Sequence, residues 1–249
     1  MTGKQRVQLL FTLISFILFN SACAQNPPGL AYVNEEKQVS QATVLLNNDK
    51  YLIPLKNLAD AKIASVHFSS NYYTAFDSLL NKYTKVQPFN GSTYMGVKSL
   101  NDLTQDLKFY NTLIVQINDA DLNNPQIINF ITTNQALKKL VVAFNGLGVG
   151  LNKLNNITAP IIWSDRVSNM SAWYSAQAIF GGVPITHKLD ASYSAKYMAN
   201  MGFVTEKTRL QYTVPEDAGI NSNNLQITRR GVRSLFGNSE LHALSNAPT

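Results

Sequence analysis

Between residues 62 and 180, short apolar runs alternate with stretches of helical period. KIASVHF (62–68), NTLIVQI (111–117), KKLVVAF (138–144) and APIIWS (159–164) are rich in Val, Ile and Leu, and TKVQPF (84–89) is a weaker run of the same kind. Runs of this length bounded by polar residues read as strands. Phe76, Leu79, Leu80 and Tyr83 recur at i, i+3, i+4 and i+7 and predict a helix over 72–83. Ser99 caps a helix predicted over 99–107. Pro125 opens one over 125–133 from a first-turn position. A helix over 169–180 stops at Gly181 and Gly182, and residues 149–154 supply one or two further turns. Strands without polar alternation are buried on both faces, which requires helices above and below a parallel sheet. The expected fold is α/β: a three-layer α/β/α sandwich with a mostly parallel sheet of about five or six strands.

Upstream, residues 25–37 are polar, contain Pro27, Pro28 and Gly29, and read as a linker. EKQVSQATVLL (36–46) reads as a short helix, followed by a turn at Asn47, Asn48 and Asp49 and the apolar step YLIPL (51–55). Residues after Asp190 read as a partner strand and a connector. The expected division is a signal over 1–24, a linker and the start of the leading helix over 25–41, one domain over 42–225, and a poorly ordered tail over 226–249. An apolar content of 45% in 249 residues is enough for a sizeable core.

Residues 1–24 have the layout of an export signal. Lys4 and Arg6 precede an apolar run over 7–19, and Ala22-Cys23-Ala24 is a small-x-small cleavage site. A run of about thirteen residues is too short to cross a hydrocarbon core of about 30 Å, so no transmembrane segment is expected. The expectation is an exported protein, periplasmic or extracellular, with a lipoprotein acylated at Cys23 as the alternative. For the latter, Asn20 stands where a leucine-like residue is usual. Cleavage after Ala24 leaves no cysteine, and with it no disulfide, thiolate metal site or cysteine nucleophile. No metal is expected. The net charge of +6 falls to +4 without Lys4 and Arg6, and Arg229, Arg230 and Arg233 supply much of the rest from the tail. No basic stretch interleaved with aromatics lies in 42–225, which argues against a nucleic-acid partner.

AWYSAQAIFGGVPITHKL (172–189) joins an amphipathic helix, a double-glycine stop, a Val-Pro step and an extended exit. It resembles the end of the α/β-sandwich domain of glycoside hydrolase family 3, the family of β-glucosidases and β-N-acetylhexosaminidases. EKQVSQATVLL followed by YLIPL is similar to that domain's opening, with Leu46 where the family carries lysine. The resemblance runs over residues 42–225 and implies a relative of O-glycosyl hydrolases. In the family this sandwich is joined to a catalytic β/α-barrel that holds the nucleophilic aspartate. A barrel needs about 250 residues, and roughly fifteen separate the export signal from the sandwich. The expectation is therefore a sandwich without the barrel, with no catalytic residue assigned and no cofactor. Its partner is carbohydrate or a separately encoded catalytic barrel. Retaining glycosidases pair two carboxyl groups about 5–5.5 Å apart. In some members the sandwich donates an acid/base glutamate from a loop after a strand. The matching loop, INDADLNNPQ (117–126), holds Asp119 and Asp121 and no glutamate. RLQYTVPEDAGINSNNL (209–225) resembles the connector that joins some family 3 hydrolases to a serine β-lactamase-like domain, whose Ser-x-x-Lys motif is absent here.

Ligands of open α/β sheets collect beyond the carboxyl ends of the strands. The substrate-binding candidates there are Asn118, Asp119, Asp121, Asn145, Asp165 and Arg166, with Ser69 and Ser70 beside them. They suit a hydroxyl-rich ligand, although strand-end loops are polar in any case. A solvated loop is the plain alternative for Asp119 and Asp121. Gly146, Gly148 and Gly150, with Asp165 beyond, imitate a dinucleotide fingerprint and leave a nucleotide-binding α/β protein as a further reading. The spacing is G-x-G-x-G, and the motif follows the fourth strand instead of the first. His67, between Val66 and Phe68, is expected to be a hydrogen-bonded strand histidine, and His187 to be exposed. Trp173 is expected in the core, while Tyr72 and Tyr73 fit either the core or a sugar-stacking surface.

Overall fold

The computed structural model describes residues 29–225. The main compact unit covers residues 31–214. Its elements are α1 (Leu30–Ser40), β1 (Thr43–Leu46), β2 (Ile63–His67), α2 (Tyr73–Tyr83), β3 (Val86–Asn90), α3 (Gly91–Val97), α4 (Leu100–Asp106), β4 (Thr112–Asn118), α5 (Pro125–Leu137), β5 (Lys139–Asn145), β6 (Ile161–Ser164) and α6 (Asn169–Phe180). The strands form one six-stranded sheet in the order β1-β6-β5-β4-β2-β3. β3, β2, β4, β5 and β6 run parallel, and β1 pairs antiparallel with β6. The expected export signal (1–24) and tail (226–249) lie outside the described residues.

Strand periodicity sorts the apolar side chains to two faces. Val66, Leu113, Val115, Ile117, Val142, Phe144 and Ile161 join Leu103 and Leu107 of the α4 side and Phe130 and Ile131 of α5 in one core. Ile63, Ile114, Val141, Ala143 and Ile162 join Val39 of α1, Phe76 and Leu80 of α2 and Ile179 and Phe180 of α6 in the other. This is the three-layer sandwich anticipated from the runs. The caps follow the sequence too. Ser99 and Asp102 make a reciprocal capping box on α4, Asn124 caps α5 ahead of Pro125, and Ser168 with Ser171 caps α6. Gly181 ends α6 at φ 78°, a left-handed conformation that glycine adopts without steric cost.

Three expectations are corrected. The expected linker and the 36–46 helix give way to α1, which begins at Leu30 and ends at Ser40, and to β1, made of TVLL. Those four residues are fully buried and pair with Ile161–Ser164, so sheet pairing overrides the helical reading of the run. α3 (GSTYMGV) is an added helix capped by Asn90; its two glycines hid it. No regular strand follows Ser164 among the described residues. Instead the chain after Asp190 touches the sheet at single bridges, with Leu45 opposite Phe203, beside the bridge of Val44 with His187. These bridges lie along β1, one edge of the sheet. The other edge is β3, whose middle residue is Pro88.

The double glycine marks where the chain is tied down after α6. Arg209 donates from Nη1 to Leu55 O (2.7 Å) and Phe180 O and from Nη2 to Lys56 O (2.7 Å). The N–H groups of Thr208 and Arg209 both reach Gly181 O. Gln177 Oε1 accepts from Tyr212 N–H (2.7 Å) and the Tyr83 hydroxyl (3.2 Å), and that hydroxyl also lies 2.9 Å from Leu210 O. A Cβ on Gly181 would meet Thr208 and Pro54, and one on Gly182 would meet Tyr83. The motif that dominates the sequence is therefore an architectural joint.

The described residues of the other unit, 29–30 and 215–225, include one 3₁₀ turn at Pro215–Ala218. There Glu216 accepts the Ser222 N–H at 3.0 Å, which holds its carboxyl below the usual range. No helix among the described residues is long and apolar enough to cross a membrane.

Candidate functional site at the carboxyl ends of the strands

The strand order turns back at β2: the chain goes outward from β2 to β3, then crosses over to β4 on the other side. Such a reversal opens a crevice between the loops that follow the two strands on either side of it. Here those loops follow His67 and Asn118.

The structure brings together the candidates predicted from the sequence, and engages each of them. Asp121 is 1% exposed. Its carboxylate accepts the N–H of Ser69 (3.1 Å) and of Asn118 (3.0 Å), joining the β2 loop to the β4 loop. Asn118 reinforces the joint, donating from Nδ2 to Ser69 O (3.1 Å) and accepting the N–H groups of Ala120 and Asp121. Asp119 accepts the N–H of Leu147 at 3.0 and 3.2 Å and so joins the β4 loop to the β5 loop. Asn145 donates to Arg166 O (3.3 Å), and the Trp163 indole N–H donates to Gly146 O (2.9 Å), joining β5 to β6. Asp165 and Arg166 are exposed and lie 3.6 Å apart as a neighbour pair. The crest is a row of staples, each formed by a side chain from one loop and, mostly, the backbone of the next. The solvated-loop alternative fails for Asp121, because the loop wraps its carboxylate in backbone donors.

The glycine run after β5 serves the same packing. A Cβ on Gly146 would sit 2.7 Å from the Asp119 carboxylate, one on Gly148 would enter the Tyr193 ring, and one on Gly150 would press on Leu122 and Phe144 at 2.7 Å. The close approach that a pyrophosphate needs is taken by the protein's own groups. The following residues form a 3₁₀ turn over Gly148–Leu154 in place of the helix a dinucleotide site requires.

His67 departs from its expected role. It is 6% exposed, stacked on the Tyr73 ring at 3.9 Å, and neither ring nitrogen has a hydrogen-bond partner. Burial pushes its pKa below the ordinary histidine value. On the same face of the sheet, Gln116 pairs in register with His67 and leaves Oε1 unpartnered, as does the Ser175 hydroxyl of α6. Two residues earlier on β2, Ser65 donates to Asp77 of α2 at 2.5 Å, and burial raises the Asp77 carboxyl to about 6. The sequence hides these polar residues because they come from four separate elements. The one available signal was the interruption of β2 and β4 by Ser65, His67 and Gln116.

His187 is half-buried, with Nε2 3.2 Å from Asp190. Trp173 lies half-buried beside Tyr32 at the edge of the second core. Among the described residues no three His, Cys, Asp or Glu side chains gather to hold a metal ion.

No family model matches the chain, and no curated protein matches it. Among solved structures it is similar to a fungal multi-domain GH3 β-N-acetylglucosaminidase described with a GCN5-related glucosamine N-acetyltransferase region. That match has 15% identity and a TM-score of 0.51, over 72% of this chain and 19% of the other. It is also similar to a glycoside hydrolase family 3 β-N-acetylglucosaminidase from a Paenibacillus species, with 12% identity and a TM-score of 0.43, over 72% of this chain and 32% of that one. The chain thus spans less than a third of the length of either. At these identities the likeness is one of fold: a mostly parallel α/β sandwich of a kind found within a larger GH3 enzyme.

Proposed function

We propose that this protein is an exported, glycoside hydrolase family 3-like sandwich domain that serves carbohydrate metabolism without hydrolysing glycosidic bonds by itself. The fold likeness to part of a GH3 enzyme supports the relationship. The engagement of the crest carboxylates supports the lack of independent catalysis. Asp121 is buried on two backbone donors, Asp119 is held by Leu147, and Asp165 leans on Arg166. Glycoside hydrolysis needs one carboxyl group free to give a proton and a second free to attack or to activate water. The test is turnover of an aryl β-glucoside and an aryl β-N-acetylglucosaminide by the purified full chain. Release at the buffer rate, unchanged in Asp119→Asn, is the expected result. A glycosyl adduct trapped on any aspartate or glutamate overturns the proposal.

A second reading, an accessory module that binds carbohydrate or docks on a separately encoded barrel, draws on a specific observation. Leu147, Val149 and Val167 are 64%, 66% and 51% exposed on the loops after β5 and β6, apolar positions that a loop in water does not need. Titration with oligosaccharides and with a family 3 barrel tests it, and binding of neither removes it.

A further inference from the structure

A cavity lies away from the crest, on the outer flank of the sandwich. α3, α4 and α5 enclose a groove of about 550 Å³, within the range of about 300–1,000 Å³ usual for small-molecule sites. Asn101 and Gln105 line it from α4, and Gln126, Asn129 and Thr133 line it from α5. Spacings of three and four residues place each set along one face of its helix, so two rows of polar side chains look at each other across the groove. The floor is apolar, made by Met95, Leu100 and Phe130.

The carboxamides of Asn101, Gln105, Gln126 and Asn129 make no hydrogen bond within the protein among the described residues, unlike the carboxamides of Asn118, Asn124 and Gln135. Thr104, on the same wall, accepts from Asn134 Nδ2 (3.2 Å). The Oδ1 of that fully buried asparagine stays unpartnered behind it. Lys98 is the one charged residue of the lining, and its ammonium is drawn toward Asp106 (3.9 Å) and the Tyr94 ring.

The chemistry of the lining selects its ligand. A carboxamide presents two N–H donors and a carbonyl acceptor side by side. An anion satisfies only the donors and a cation only the acceptor, whereas adjacent hydroxyl groups satisfy both. A nucleobase needs a stacking platform, and the only ring in the lining, Phe130, is 3% exposed. We propose that this groove is a binding site for a neutral oligosaccharide, held by facing carboxamides of α4 and α5. The choice of ligand deepens the carbohydrate-binding reading above and rests on it.

The test is NMR of the side-chain NH₂ groups of the full chain, titrated separately with cellobiose and N,N′-diacetylchitobiose. The expected result is saturable shifts of the Asn101, Gln105, Gln126 and Asn129 resonances with one of the two sugars. Gln126→Leu combined with Asn129→Leu is expected to weaken binding about tenfold, from the loss of two hydrogen-bonding groups, and to leave thermal unfolding unchanged. Shifts confined to Asn118 and Asn145 overturn the groove while leaving a sugar-binding sandwich in place. No shift with either sugar overturns both. Turnover in the aryl glycoside assay leaves the groove result untouched, so failure of the catalytic reading and failure of this one are distinguishable.

Discussion

The two ends of the parallel sheet are closed by different means. At the amino end, the segment after α6 is knotted by one half-buried arginine and one glutamine. Arg209 gathers three carbonyls, and Gln177 gathers Tyr83 and Tyr212, around two glycines with no room for a side chain. At the carboxyl end, short acidic and amide side chains clip each loop to its neighbour, while His67 and Gln116, in register on β2 and β4, and Ser175 of α6 on the same face have buried polar atoms with nothing to bind. Around the double glycine the named polar groups are paired, although Asn134 Oδ1, on the last turn of α5 toward the same end, is not. The carboxyl end is satisfied at its rim and left open among those three residues. Buried polar groups are hydrogen-bonded in the great majority of cases, so the unpaired atoms of His67, Gln116 and Ser175 set this layer apart from the joint around the double glycine.

The comparison breaks most visibly at the amino end. Gly181→Val combines a β-branched residue at positive φ with a clash on Thr208 and Pro54. Its expected cost is about 3–5 kcal/mol in denaturant unfolding. A loss under about 1 kcal/mol would mean that the knot yields easily. At the rim, Asp121→Ala strands the N–H groups of Ser69 and Asn118 and is expected to cost about 2–3 kcal/mol. Asp119→Ala, nearer solvent and bonded to one residue, is expected to cost about 1 kcal/mol. Equal losses for the two aspartates would contradict the burial that separates them.

The polar layer separates by pH. Asp77 has a folded pKa of about 6 against an ordinary 3.8, so the fold favours its protonated form. Its contribution is full below about 3.8 and is lost as pH rises through about 6. Unfolding free energy measured across that window should flatten in Asp77→Asn. His67 has the opposite sign: its folded pKa lies below the ordinary 6.5, so stability is lost as pH falls below that value and the unfolded chain takes up the proton. His67→Phe keeps a ring against Tyr73 and removes two unpaired nitrogens. It should be the mildest change, within about 1 kcal/mol of the parent at pH 7, and should abolish the histidine part of the acid sensitivity. A loss of several kcal/mol would show that the imidazole has a partner after all.

Much of the architecture was legible because its signals are local. The runs of β2, β4, β5 and β6, the Ser99 box, Pro125 and the double glycine each declare themselves within a few residues. β1 was not, because TVLL continues a helical stretch and becomes a strand only by pairing with residues about 120 positions away. The crest was half legible. Polar residues at strand ends pointed to Asn118, Asp119 and Asp121. That Asp121 is spent on Ser69, 52 positions earlier, is a fact of loop packing that no spacing encodes. The layer around His67 was misjudged for the same reason. A strand histidine usually finds a partner, and here the register sets it beside a glutamine that is itself unpaired.

Pro88 sits in the middle of β3, and the opposite edge is occupied by the returning chain at His187 and Phe203. An incoming strand would meet a missing donor on one side and an obstructed backbone on the other. Among the described residues both edges of the sheet are thus poor templates for an added strand.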